Sequence, residues 1–574
     1  MFIFDEAGVY TSCASSKLAI DNDIILVRLP ANVTHYMWNN AMIKFNRGSA
    51  ENMFESENDR AKSWTEGYNN STIIDMENTN KIFTAAENQN TNTKTAAQIV
   101  NDARIQFNSG KTKCIKFRKQ QLKNLLKMFE ENEEAIENAL ALDLGRQKFT
   151  ASIYDTEFTK CQIKHILKYL NEWSKPEYPP KPIYNYFENI RIQKDPYGVV
   201  LVLGPWNFPF ALLFTPAIGA IAAGNCVVFK PSEISVASAK VISELVPRYL
   251  DNECYYVYDG GVVETTELLQ QRFDYIFFTG STAVGKIVHA AANKYLTPVT
   301  LELGGKSPVY LDDTVDIEIA AKRILWGKCF NAGQICVTPD YLLCTKAIQE
   351  KFILVAEKVI KEWYTDDVMN SPDFTRIISN KHFERLSTFL INQNNIAVGG
   401  KTDACQRFIE PTILINVTSD DPVMREEIFG PILPILVIQN VYDAIDYINS
   451  GEKPLALYIF TEDKKTKNLI LNNTSCGGVT INDTIMHFVV NTLPFGGVGF
   501  SGMGSYHGKD SFDTFTHKKS ILEKGSSKQY EKLFYARYPP FSERKRNDKS
   551  RRQGIMDVSK DAYEINIFKD QRTL

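Results

Sequence analysis

The stretch GVVLVLGPWNFPFALLFTPAIGAIAAGNCVVFK, residues 198–230, decides how the chain folds. No charge falls between Pro196 and Phe229, and the run is longer than the ~20 residues a membrane-spanning helix needs. Yet Pro205, Pro209 and Pro216 interrupt it, which breaks any single helix and would leave backbone unpaired in lipid. The run therefore reads as a buried strand from Gly198 to Gly204, a turn, a helix, and a second strand from Cys226 to Phe229.

Outward from this stretch the same text repeats. Asp274–Phe278 and Val299–Leu303 are further short apolar strands. A second alternating set follows residue 307, with strands at Tyr341–Cys344 and Ile432–Ile438. Short apolar strands separated by helical segments predict an α/β fold, its parallel sheets covered by helices on both faces. Upstream, Ile99, Val100, Ala103 and Phe107 have helical spacing, as do Leu122, Leu125, Leu126 and Phe129. Asn69–Lys94 is polar and Asn-rich, and is expected to be too poor in apolar residues to fold alone.

Composition narrows the class. The chain has 574 residues, 44% hydrophobic and 23% charged, which excludes a collagen, a coiled coil or a wholly disordered protein. A net charge of -3 gives no electrostatic case for nucleic acid. Ten scattered cysteines without a CxxC pair read as free thiols in a reducing compartment, and no metal site is expected. The first residues carry Asp5 and Glu6 and do not resemble a signal peptide. Arg544, Lys545, Arg546, Lys549, Arg551 and Arg552 make the tail basic. That tail is either a solvated end, a nuclear signal or a weak contact for anionic lipid.

Four constellations could carry chemistry. Gly280-Ser281-Thr282-Ala283-Val284-Gly285-Lys286 follows a strand and opens a helix, a turn that suits a phosphate-bearing ligand or simply close packing. Val284, Ile287, Val288 and Ala291 are expected to form that helix's apolar face. A nucleotide triphosphatase using this loop is a rival reading, although Ile287 stands where a magnesium-binding hydroxyl belongs. Glu302 sits near the carboxyl end of a strand, beside the Gly304-Gly305 turn, where open α/β sheets bind ligands. It is either a general base or an ion-paired surface residue. Cys336 follows a Gly333-Gln334 turn and is a nucleophile or a small buried hydrophobe. Asn207, flanked by Pro205 and Pro209, is an oxyanion-binding amide or a plain turn residue.

Together these motifs resemble the aldehyde dehydrogenase superfamily, and within it the class 3 group that includes fatty aldehyde dehydrogenases. The elements occur in that family's order: Pro205-Trp-Asn-Phe-Pro209, Lys230-Pro-Ser-Glu233, Phe278 to Gly285, Leu301-Glu-Leu-Gly-Gly-Lys306, Gly333-Gln-Ile-Cys336 and Glu426-Glu-Ile-Phe-Gly-Pro431. Val337-Thr-Pro-Asp-Tyr341, Pro494 to Gly504 and Ser505-Tyr-His-Gly508 add the class 3 likeness. The resemblance implies NAD(P)-dependent oxidation of aldehydes to acids, with Cys336 as nucleophile, Asn207 at the oxyanion and Glu302 activating water. It places cofactor contacts at Lys230, Glu233, Gly280, Ser281, Thr282, Ala283, Val284, Gly285, Glu427 and Phe429. A carboxylate at Glu233 favours NAD, with NADP possible. A nucleotide-binding protein of the same fold without turnover is the alternative.

The resemblance also implies a Rossmann-like cofactor domain, a catalytic α/β domain and a bridging β-hairpin that builds a homodimer. The expected layout is a largely disordered extension at 1–95, a cofactor domain at 96–306 with the hairpin near 182–199, and a catalytic domain at 307–480. A funnel and bridging segment at 481–540 and a basic tail at 541–574 complete it. The tail carries no apolar anchor, so no membrane span and a cytoplasmic location are expected.

Overall fold

A computed structural model describes residues 94–545 apart from 182–184, 187, 392, 533 and 534, and two short strands near the N-terminus. The chain divides into two units, Met1–Thr93 and Lys94–Leu574. In the first, Ile20–Asp21 pairs antiparallel with Ile24–Ile25. The disorder expected for the N-terminal extension otherwise concerns positions outside the described residues, as do Arg546, Lys549, Arg551 and Arg552 of the tail.

The second unit opens with α1 (Ala96–Asn108), whose end is closed by a reciprocal Thr95–Gln98 capping box, and α2 (Ile115–Glu131). Ile99, Val100, Ala103, Leu122, Leu125 and Phe129 are buried, as their spacing predicts. The deciding stretch then folds as β1 (Val199–Leu203), α3 (Ala211–Ala223) and β2 (Cys226–Lys230). All residues of the three elements are buried. Pro216 lies inside α3, giving up one backbone donor without ending the helix. Asn225 binds this unit together: its side chain accepts from Gly198 N (2.9 Å) and donates to Ala220 O (3.1 Å) and Phe515 O (3.0 Å).

β3 (Tyr255–Val257), β4 (Tyr275–Thr279) and β5 (Val299–Glu302) complete a parallel sheet in the order β5-β4-β1-β2-β3. Gly502–Met503 adds an antiparallel edge to β5, with Gly502 opposite Glu302. The turn at 303–307 carries the chain directly into a second sheet. Its strands are β6 (Pro308–Leu311), β7 (Tyr341–Cys344), β8 (Ile396–Val398), β9 (Thr412–Leu414), β10 (Ile432–Val437), β11 (Ala456–Phe460) and β12 (Gly478–Ile481). They lie in the order β8-β9-β10-β7-β6-β11-β12, parallel except for β8. The fold is thus α/β with a Rossmann-like sheet and a second α/β sheet.

A two-stranded ribbon stands in the two segments, 182–199 and 481–540, expected to supply the bridging element. Asn189–Pro196 pairs antiparallel with Thr516–Glu523, in register from Asn189 opposite Glu523 to Pro196 opposite Thr516. Its two strands are far apart in sequence, which local turn signals cannot reveal.

α4 (Thr282–Asn293), α5 (Ile317–Cys329) and α6 (Gly508–Thr514) surround the functional region. α6 packs on α3 through Gly219, where a Cβ would stand 2.4 Å from Ser511 O. Backbone cannot swing away, so Gly219→Ala is expected to destabilise the protein by about 1–3 kcal/mol through overpacking. The midpoint of urea unfolding measures this.

Candidate active site

Asn207 lies in the turn between β1 and α3 and is almost fully buried. Its Nδ2 donates to Gln334 O at 3.0 Å. One N–H of the amide is thereby anchored and the other is left for a ligand. Gln334 belongs to the segment between α5 and β7 that carries Cys336. There the backbone winds left-handed at Asn331 (φ +52°), Ala332 (φ +51°) and Gly333 (φ +71°). Gln334 holds the turn: its side chain donates to Asn331 O and Arg376 O, each at 3.0 Å, and accepts from Ile378 N at 3.0 Å.

Cys336 is half-buried. Burial pushes its thiol up, and the charges of Glu427 and Glu302 push the same way; the N–H groups of Cys336 and Val337 oppose them. The site therefore disfavours the thiolate, and a base would have to take the proton for the thiol to act as a nucleophile. Glu302, the last residue of β5, is 1% exposed. Neither carboxylate oxygen has a hydrogen-bond partner among the described residues. Desolvation raises its pKa well above the ordinary carboxylate value. Glu302 is thus not an ion-paired surface residue.

Glu427 comes from the Glu426–Pro431 loop. Burial and the charge of Asp340 push it up to about 8, against the Gly305 N–H, Lys306 and Arg385. Its carboxylate lies over Gly304, where a Cβ would come 2.3 Å from Oε2. Phe429 adopts φ +52° and meets Trp206 edge-on at 5.3 Å, next to Asn207. A cavity of ≈ 310 Å³ opens here, lined among others by Thr282, Gly304, Gly305, Lys306, Glu427 and Phe500.

Gly280 and Ser281 form the turn from β4 into α4, whose first residues are Thr282 to Gly285. Ser281 caps the helix by accepting from Val284 N. A Cβ at Gly280 would meet the Phe278 ring at 2.5 Å, and one at Gly285 would meet Leu303 at 2.7 Å. These glycines let helix and sheet approach closely. The buried face of α4 is Gly285, Val288 and Ala292; Val284 and Ile287 are exposed, contrary to the periodicity reading. Helix position decided this, because Gly285 rather than Val284 sits on the sheet. Lys286 Nζ lies 4.2 Å over the Phe500 ring, and Ile287 after it supplies no magnesium-binding hydroxyl, which disfavours the triphosphatase reading. Lys230 ends β2 with its amine on Pro231 O (2.6 Å) and 3.6 Å from Glu233, and burial lowers its pKa.

Sequence reasoning assigned no role to several residues that hold this site together. Lys306 Nζ pairs with Asp340 and donates to Val423 O and Glu426 O, each at 3.0 Å. Asp340 Oδ1 accepts from Ile428 N at 3.0 Å. Arg385 reaches Glu426 (2.9 Å) and Ile428 O (2.6 Å). Lys306 and Asp340 stand within recognisable motifs, but only their contacts disclose the work. Arg146, Asp155 and Asn331 carried no usable signal.

A cavity lined by Glu427 and by the start of α4, with a half-buried thiol that feels the charges of Glu427 and Glu302, suits a dinucleotide-linked oxidoreductase class. Residues 64–521 match the family model described as "Aldehyde dehydrogenase family", and the chain belongs to that family. It is an enzyme that oxidises aldehydes with NAD(P). A rat protein named "Aldehyde dehydrogenase, dimeric NADP-preferring" is 49% identical over 77% of this chain and 97% of its own length. Rat "Aldehyde dehydrogenase family 3 member A2" is 49% identical over 76% of this chain and 90% of its own. The solved "Substrate bound state of Staphylococcus Aureus AldH" has 47% identity and a TM-score of 0.75, covering 76% of this chain and 95% of that one.

His487 and His507 each stack on the Phe495 ring, at 5.7 and 5.3 Å. Burial holds their pKa values down to about 4 and about 3. The unfolded chain binds protons on these rings near pH 6.5, the folded protein only far below it. Their stabilising effect is therefore complete above about pH 6.5 and is lost as pH falls towards 4 and below. Urea titrations across pH 7.0 to 4.5 are expected to show stability falling with acid, and falling by up to ~1.4 kcal/mol per pH unit less steeply in His507→Phe.

Proposed function

We propose that Cys336 carries the substrate covalently, that Asn207 binds its oxyanion, and that Glu302 is the general base. The observation that carries this reading is the buried, unpartnered Glu302 carboxylate, whose charge is felt at the Cys336 thiol; Cys336 in turn stands two residues from the carbonyl that anchors the Asn207 amide. Cys336 Sγ gives its proton to the Glu302 carboxylate, which passes it to solvent, and attacks the aldehyde carbon, giving a thiohemiacetal anion. The free N–H of Asn207 and the Cys336 backbone N–H hold the charge that develops on oxygen. Loss of the carbon-bound hydrogen with its electron pair leaves a thioester. Glu302, a strong base once ionised because it is desolvated, takes a proton from the water that releases the acid.

The residues present fit a dinucleotide. The glycines at 280, 285 and 304 leave no room for side chains, and the capped start of α4 borders the cavity through Thr282. Lys230 and Glu233 would hold the adenosine ribose, Gly280–Gly285 the pyrophosphate, and Glu427 and Phe429 the nicotinamide end. The chemistry it supplies when bound is hydride acceptance. Glu233 favours NAD, with NADP possible; the NADP-preferring rat relative supports keeping both. Medium- and long-chain aliphatic or aromatic aldehydes are the proposed substrates. A homodimer is supported by the ribbon, which pairs with no third strand among the described residues, and by the word "dimeric" in that relative's name. A cytoplasmic location is supported by nine free thiols among the described residues.

Aldehyde-dependent formation of NADH is expected to disappear in Cys336→Ala; normal oxidation by that variant would sink the assignment. Asn207→Ala is expected to lower kcat about 100-fold or more, measured by steady-state kinetics on one aldehyde.

A further inference from the structure

Cys336 and Asn207 stand on turns from different sheets, and their relative placement has a visible cause. Arg146, 2% exposed, has its guanidinium between the two turns. Its Nη2 donates both to Asn207 O at 2.6 Å and to Asn331 Oδ1 at 2.7 Å. Asn331 Nδ2 is in turn shared between Asn207 O (3.2 Å) and Gln334 O (3.1 Å). Nη1 pairs with Asp155, which is fully buried and whose Oδ1 accepts from Ala211 N at 3.0 Å, at the start of α3. The guanidinium plane also rests 4.4 Å from the Phe208 ring centroid. A planar fork can serve these acceptors at once, whereas an ammonium is a point charge.

We propose that Arg146 is a positioning residue for aldehyde oxidation: with Asp155 behind it, it clamps the Asn207 turn to the left-handed Cys336 turn and so sets the oxyanion-binding amide against the nucleophile. This rests on the roles given above to Cys336 and Asn207. Stability alone does not account for the clamp, because well-packed apolar residues often replace a buried ion pair without loss. Geometry does account for it, because a displacement of ~1 Å at a reacting centre can cost ~100-fold in rate.

The test separates the clamp from the thiol. Alkylation of Cys336 by iodoacetamide needs the thiolate but no oxyanion hole; oxidation of hexanal and acylation by p-nitrophenyl acetate need both. In Arg146→Met/Asp155→Leu, melting at or near the wild-type temperature and wild-type alkylation are expected, with kcat for hexanal and the acylation rate each down ~100-fold. Arg146→Lys keeps the buried charge and is expected to lose about tenfold, again with alkylation intact, and it decides the question if the double variant does not fold. Turnover within threefold of wild type in the variants that fold overturns the clamp. So does alkylation that falls in step with turnover, which would make the pair a prop for the thiol alone. Full turnover in Cys336→Ala would instead overturn the nucleophile reading and leave the cause distinguishable.

Discussion

The left-handed turn from Asn331 to Gly333 is the constraint on which the site depends. Left-handed backbone at a non-glycine residue costs about 1–3 kcal/mol, and two such residues adjoin here. The surroundings hold the turn in place from several sides. Arg146 grips the Asn331 side chain, Gln334 ties the turn to Arg376 and Ile378, and Gly333 presses on Gly430, where a Cβ would come 2.2 Å from its carbonyl oxygen. Relaxing the turn would move Cys336 and the carbonyl that anchors Asn207 at the same time. The loop from Glu426 to Pro431 rests on the same point through Gly430, so Cys336 and Glu427 share one support.

Around this turn the buried charges differ in how well they are partnered, and that difference sets their chemistry. Asp340 has Lys306 and the Ile428 N–H. Glu427 has the Gly305 N–H and more distant cations, and stands at about 8. Glu302 has no partner among the described residues, and burial raises it well above a surface carboxylate's range. A carboxylate fully paired would be a poor base, and one left unpaired in a dry site is a strong one. Lys328, also buried without a partner for its amine among the described residues, is held down to about 8 by the same desolvation.

Much of the fold was legible because its signals are local. Apolar runs of strand length broken by prolines and glycines mark β1, β2, β4 and β5, and three- and four-residue spacing marks α1 and α2. Legibility failed where partners are distant. Nothing near Asn189 announces pairing with Thr516–Glu523, and nothing near Arg146 announces Asn207 or Asn331. It failed also where a pattern admits two faces, as in α4, where Gly285 takes the place expected of Val284 and Ile287.

The sequence by itself determined which elements form and which chemical groups stand at their ends: a thiol at 336, a carboxylate at 302, an amide at 207 and a glycine turn at 280–285. These follow from backbone preference and residue type, which act over a few residues. Only the tertiary structure decided the states of those groups. Whether a carboxylate is paired or bare, and whether an amide points at a thiol, depends on atoms brought from distant segments and on how much water the packed sheets exclude, and neither quantity exists until the chain has folded.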